Sequence, residues 1–220
     1  ALSLAHGLVL SVEREGRIRT PTPGQQATPR TPGAAANEWA ATRIVARDAR
    51  TGVRRWHRGR TFDGSDALGQ VEFRGAPVAE GAEIWVPVVS NSDLFLVALD
   101  PPTGTELHRL LLCSFPEGMR TERPALPVTA ADGIIYVPTA FGAFFAVDAA
   151  TRSLRWAHRY GDGPAMALDM SGTRVVPATT LPPGARPDAS LWLAAPPVVA
   201  GGTVMLAPVG AQELVAFSAA

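Results

Sequence analysis

Side chains able to do chemistry are few in this sequence of 220 residues: four histidines, one cysteine, twenty acids, and twenty arginines with no lysine. A metal centre needs nitrogen, sulfur or carboxylate ligands meeting within a few ångströms of one point. His57, His108 and His158 fall about 50 residues apart, at equivalent places beside a recurrent tryptophan position. Equivalent places in a repeat fan out and do not converge, so no histidine metal site is expected. The single Cys113 excludes an internal disulfide and a multi-cysteine metal site. It stands in the apolar run RLLLCSF, which reads as a buried, inert thiol and not a nucleophile. The two acids of DGSD at 63–66 share a glycine turn but lack the distal glutamate of a calcium loop, so they read as a solvated turn. No glycine–lysine phosphate loop, nucleophile elbow or zinc helix occurs. Catalytic, cofactor-binding and metal-ligating residues are therefore expected to number none.

The densest local charge is Arg50, Arg54, Arg55, Arg58 and Arg60, grouped around Trp56. On a strand alternate residues share a face, which places Arg54, Trp56 and Arg58 on one side and Arg55 and His57 on the other. The group is a candidate anion-facing patch. The duller alternative is protection of an outer edge strand. Charge is uneven along the chain: residues 1–60 carry eleven arginines against four acids (+7), and the rest nine against sixteen (−7), for a net of zero. Arginine without lysine, beside abundant Ala, Gly and Pro, reads as codon bias of a GC-rich genome, and no nucleic-acid partner is inferred. At 46% hydrophobic the chain is long enough to bury a core. No apolar run approaches the roughly 18 residues of a membrane helix, and the charges from Glu13 onward are unlike a signal peptide.

The elements that would position these residues come from an internal repeat. Pro77 to His108, Pro127 to Trp156 and Pro197 to the end align with one another. A fourth copy is split: residues 4–12 resemble the first half of the unit and 42–56 the second, around the insertion 19–37, which is rich in Pro, Gly, Ala and Thr. IIYV, FFAV, FLVAL and ELVAF are β-branched and aromatic runs too short for helices. The closing Asp-x-x-Thr-Gly reads as a turn in which Asp accepts backbone hydrogen bonds and Gly supplies a positive φ. Pro87, Pro138 and Pro208 are expected to end strands, since proline cannot donate to a ladder. Asp48 to Asp100 is 52 residues and Asp100 to Asp148 is 48. Four short strands per unit at that spacing predict the four-stranded antiparallel blades of an all-β propeller. The blades fall at about 1–60, 75–112, 125–160 and 190–220, the last incomplete, with a long loop over 161–190 holding one short hairpin around TRVV.

The pattern Ala-x-Asp-x-x-Thr-Gly-x-x-x-Trp resembles the tryptophan-docking motif of the PQQ-like (pyrroloquinoline quinone-type) propeller repeats. That family includes quinoprotein dehydrogenases and the propeller lipoprotein of outer-membrane barrel assembly, the BamB group. Ala46, Asp48, Thr51, Gly52 and Trp56 match every position. Ala98, Asp100, Thr103 and Gly104 match, with His108 in place of Trp. Ala146, Asp148, Thr151 and Trp156 match, with Arg152 in place of Gly, and the last copy keeps Ala216 but has Ser218 for Asp. The resemblance implies that the Trp ring stacks on the small Ala and the Gly turn of a neighbouring blade, and that the seam at His108 is weaker. Rings of this family close with seven or eight blades, so about three and a half blades imply a fragment, or half of a ring, with exposed strand edges.

Strong blade motifs point to a non-catalytic scaffold that binds a protein or peptide through its loops and insertions. Its other partners would be the remaining blades, from the same chain or another copy. The resemblance also implies a periplasmic, envelope-associated or secreted bacterial protein. Two alternatives stay open: a quinoprotein oxidoreductase whose PQQ and calcium ligands lie outside this chain, and a sensor domain attached to a signalling module.

Overall fold

Short apolar strands separated by turns cannot bury themselves singly. In the computed structural model of the protein they pair into antiparallel sheets that cover one another. The structure describes residues 2–15, 41–59, 66, 68–91, 93–114, 125–139, 142–159, 166–168, 175–177, 195–207 and 214–219. The insertion 19–37, Arg60, Asp63 and Pro208 lie outside them. Among the described residues there is no α-helix, and so none long and apolar enough to cross a membrane.

The first sheet runs β1 (Leu2–Ala5), β2 (Leu8–Glu15), β3 (Ala41–Asp48), β4 (Arg54–Gly59) in spatial order. The second holds β5 (Glu72–Phe73), β6 (Val78–Glu80), β7 (Glu83–Ser90), β8 (Asp93–Leu99) and β9 (Glu106–Ser114), with β5 and β6 both against β7. The third is β10 (Thr129–Ala131), β11 (Ile134–Pro138), β12 (Ala143–Asp148), β13 (Ser153–Arg159). Within 161–190 the described residues are β14 (Met166–Leu168) and β15 (Val175–Pro177), which pair as a small ribbon. The final sheet has three strands: β16 (Val198–Ala200), β17 (Thr203–Leu206) and β18 (Val215–Ser218). All the pairings are antiparallel.

Successive sheets pack face to face along seams. Leu10, Ile44 and Trp56 meet Ile84, Val86 and Leu99 in the first seam. Trp85, Leu96 and Leu112 meet Ile135, Val137 and Phe145 in the second. Tyr136 and Phe144 meet Val204 and Leu206 in the third. A strand in an inner sheet therefore sends alternate residues into different cores. That is why β7 and β11 are continuous apolar runs instead of alternating ones, while the outermost β13 is almost wholly exposed. The architecture is an all-β partial propeller, and among the described residues no sheet closes into a barrel.

Proline behaves differently in two equivalent strands. Pro138 ends β11, but Pro87 lies inside β7, paired with Leu96, and β7 continues to Ser90. The carbonyl of Pro87 accepts the N–H of Arg74 on the inner side of the strand, where the inner ladder breaks between β5 and β6. A strand residue's N–H and C=O point the same way, so the missing N–H faces that break. The second sheet accordingly has five strands, not four, with its innermost strand in two pieces.

Candidate functional site

The repeated motif builds one row of side chains per sheet. Across the second, third and fourth strands the rows are Leu10–Ala46–Trp56, Trp85–Ala98–His108 and Tyr136–Ala146–Trp156. The alanines of these three rows are each 0% exposed, and a larger side chain there would push the flanking rings apart. In the last sheet Ala216 pairs with Met205 and is exposed. Ala46, Ala98 and Ala146 are thus each the cross-strand neighbour of the tryptophan position in their own sheet; only the turn glycine belongs to the next sheet. The resemblance had placed both on the neighbour.

A bulge precedes the tryptophan position in each complete sheet. The register shifts after Ala46, Ala98 and Ala146, leaving Arg55, Leu107 and Arg155 as the extra residues. The bulge corrects the simple alternation expected for β4. Arg54 pairs with Arg47, on the face opposite Ala46 and Trp56, whereas Arg58 shares the Trp56 face.

The turns follow from the Asp and Thr side chains. Asp48 accepts from the Thr51 N–H at 2.8 Å and the Thr51 hydroxyl at 2.9 Å, and Asp148 accepts from the Thr151 N–H at 2.8 Å. Asp100 accepts from the N–H of Thr103 at 3.2 Å. A hydrogen bond from Arg55, followed by those from Thr51, holds the Asp48 carboxyl well below the usual carboxylate range. Asp148 is lowered in the same way by Thr151. The residue after Thr takes positive φ in all three turns: Gly52 at 73°, Gly104 at 70° and Arg152 at 54°.

In the first seam Trp56 lies on the turn of the second sheet. Its Nε1–H donates to the carbonyl of Pro101 at 2.7 Å. A Cβ on Gly104 would stand 2.5 Å from Cε3 of that indole, so only glycine fits beneath the ring. Arg58 adds hydrogen bonds to the carbonyls of Gly104 at 3.1 Å and Thr103 at 2.9 Å. A second contact runs the opposite way. A Cβ on Gly59 of the first sheet would stand 2.8 Å from Cε2 of Phe73, and the Phe73 N–H donates to the Thr42 hydroxyl at 2.8 Å. Sequence reasoning missed this reciprocal contact, because neither Gly59 nor Phe73 belongs to the repeated motif.

The second seam substitutes charge. His108 takes the tryptophan's place in the row and Arg152 the glycine's. Arg152 forms an ion pair with Glu83 of the second sheet, and Glu80 accepts the N–H of Gly133 at 3.1 Å. The third seam is aromatic: Trp156 meets Phe144 edge-on at 5.4 Å and stacks on Phe217 at 5.9 Å.

The three histidines do not occupy equivalent places. His57 pairs with Val45, His108 with Ala98 and His158 with Phe144, one residue past, at, and two past the tryptophan position. Of the arginine group, Arg55 is paired with Asp48 and Arg58 with the turn carbonyls, while Arg50 and Arg54 are exposed. Burial, with Asp93 near, pushes the Cys113 thiol up to about 11. Other carboxylates also have partners within the chain: Glu13 with Arg43, Glu72 with Arg74, Glu106 with Arg109, Asp93 with Ser114, and Asp66 with the N–H groups of Gly59 and Leu68. Among the described residues no three His, Cys, Asp or Glu side chains group as a metal-ligand set.

A family model described as outer membrane protein assembly factor BamB matches residues 90–220, more than half of the chain. The chain belongs to this family. BamB from Moraxella catarrhalis is 20% identical to this BamB-family chain, covering 81% of it and 46% of that structure's chain, with a TM-score of 0.46. A europium-containing methanol dehydrogenase is 16% identical, covering 72% of this chain and 31% of the other, with a TM-score of 0.40. The computationally designed Ika4 protein is 11% identical over 99% of this chain and 88% of its own, with a TM-score of 0.51, a likeness of fold. The chain thus spans about half the length (46%) of the BamB structure it matches. No curated protein sequence matches it.

Proposed function

We propose that this chain is part of a non-catalytic propeller scaffold of the bacterial cell envelope, and that it binds a protein or peptide partner through the loops at the blade ends. The observation that carries this reading is the family match over residues 90–220. The use of the motif side chains supports it. Asp48 and Asp148 hold turns and Trp56 holds a seam, so these groups act between strands and sheets and are not turned toward a substrate. In this reading Trp56 and Trp156 are the docking tryptophans of the repeat. The remaining blades of a seven- or eight-bladed ring come from the same polypeptide or a second copy, and no quinone or calcium is bound.

The test uses the full-length protein. Titration with pyrroloquinoline quinone and calcium is expected to leave the visible spectrum that of the free quinone. Deletion of the gene is expected to lower the amount of β-barrel proteins in the outer membrane. Stoichiometric quinone uptake with dye-linked alcohol or sugar oxidation would replace the scaffold by a quinoprotein oxidoreductase.

A further inference from the structure

The second seam differs from the first in its polar atoms as well as its charges. Trp85 is 0% exposed, within a core otherwise made of Leu, Ile, Val, Ala and Phe side chains, with Cys113 packed against it. Its Nε1–H reaches no hydrogen-bond acceptor, and Nε2 of His108, also buried, has no partner either. An unmatched polar group in an apolar core is destabilising, so two in one seam call for an explanation.

The two belong to one row. Trp85 and His108 are both direct cross-strand neighbours of Ala98, on the two strands that flank β8. The corresponding row of the third sheet shows where such flanking side chains go. Tyr136 and Trp156 both neighbour Ala146, and their rings meet over it with centroids 6.2 Å apart. An imidazole is smaller than an indole, so side chains leaning over Ala98 in the same way would leave room between them. Such room would adjoin one donor and, with His108 as its Nδ1–H tautomer, one acceptor at Nε2.

We propose that the second seam is built to hold one buried water molecule over Ala98, bound between Trp85 Nε1 and His108 Nε2. The water accepts from the indole N–H and donates to the imidazole. Two to four polar partners are what a buried water requires, and an otherwise apolar lining keeps further waters out. The exchange of Trp for His at position 108 then follows from Arg152. The first seam places the indole on a bare glycine, and a side chain at that turn position excludes the same pose. The large ring is supplied from β7 by Trp85 instead, and a water completes the polar pairing.

The test begins with the full-length protein labelled with 15N at its tryptophan indoles. The Trp85 indole proton, assigned by its loss in Trp85→Phe, is expected to show a nuclear Overhauser effect to a long-lived water that disappears in His108→Leu. No such effect in the unsubstituted protein overturns the proposal, whether or not the variants fold. Thermal unfolding supplies the second reading. Each single substitution should lower Tm by roughly 3–8 °C, because it strands the other polar atom. The double variant should lose clearly less than the sum, and strictly additive losses would also overturn the site.

Discussion

The first and second seams join the same kind of sheet with different chemistry. In the first, an indole lies on a glycine, its N–H is matched by a carbonyl, Arg58 grips the same turn, and Phe73 rests on Gly59 in return. In the second, a histidine replaces the indole, an arginine replaces the glycine, and Arg152 and Glu83 pair across the gap. The two exchanges belong together. A turn residue with a Cβ cannot lie beneath an indole in the pose of Trp56, so a seam with Arg152 at the glycine position has no place for an indole in that pose. A repeat can keep its strands and turns while changing what seals one sheet to the next.

The comparison can be broken most forcefully at Trp56. Trp56→Ala removes a buried ring and strands the Pro101 carbonyl, and is expected to cost about 3–5 kcal/mol. Urea unfolding measures this, and a cost below about 1 kcal/mol would mean that the first seam is not held by its indole. The glycines sharpen the same point. Gly104→Ala should cost about 2–4 kcal/mol, combining left-handed strain with collision against Trp56. Gly52→Ala, with φ of 73° but nothing within 4 Å of its Cβ, should cost only the strain of about 1–2 kcal/mol. Equal losses at the two glycines would show that the ring contact contributes nothing.

Conversion of the second seam toward the first is the next test. His108→Trp alone should destabilise because Arg152 stands in the way, and Arg152→Gly should recover part of that loss, with a coupling of about 0.5–3 kcal/mol in a double-mutant cycle. Additive effects would separate the two exchanges. The smallest effect is expected at Asp48. Its folded carboxyl titrates below its unfolded value, so its stabilisation is complete above about pH 4 and is lost as the pH falls toward the folded value. Asp48→Asn should therefore flatten the acid limb of stability against pH, as followed by circular dichroism, and an unchanged limb would exclude Asp48 as a source of that dependence.

Much of this was legible in the residues because strand pairing and turns are local. The recurrent Asp-x-x-Thr-Gly specifies a turn through bonds spanning two or three residues, and those bonds are present in the structure. Less local features were misjudged. Pro87 stays within β7 because its missing N–H faces a break in the inner strand, a fact about a neighbour and not about Pro87. The bulge at Arg55 shifts Arg54 to the other face, and no periodicity in RRWHRG announces it. The histidines looked equivalent until pairing register put each in a different row.

What the sequence determined alone is the repeat itself: short apolar strands, the turns that close them, and the succession of sheets, all set by hydrogen bonds and side-chain patterns within about fifty residues. What only the tertiary structure decided is the partner of each side chain across a seam. Phe73 upon Gly59, Arg58 upon the 103–104 carbonyls and Arg152 with Glu83 join positions 14 to 69 residues apart. Such contacts depend on how two finished sheets come to rest on one another, and a residue's type says only that it needs a partner, not which one it meets.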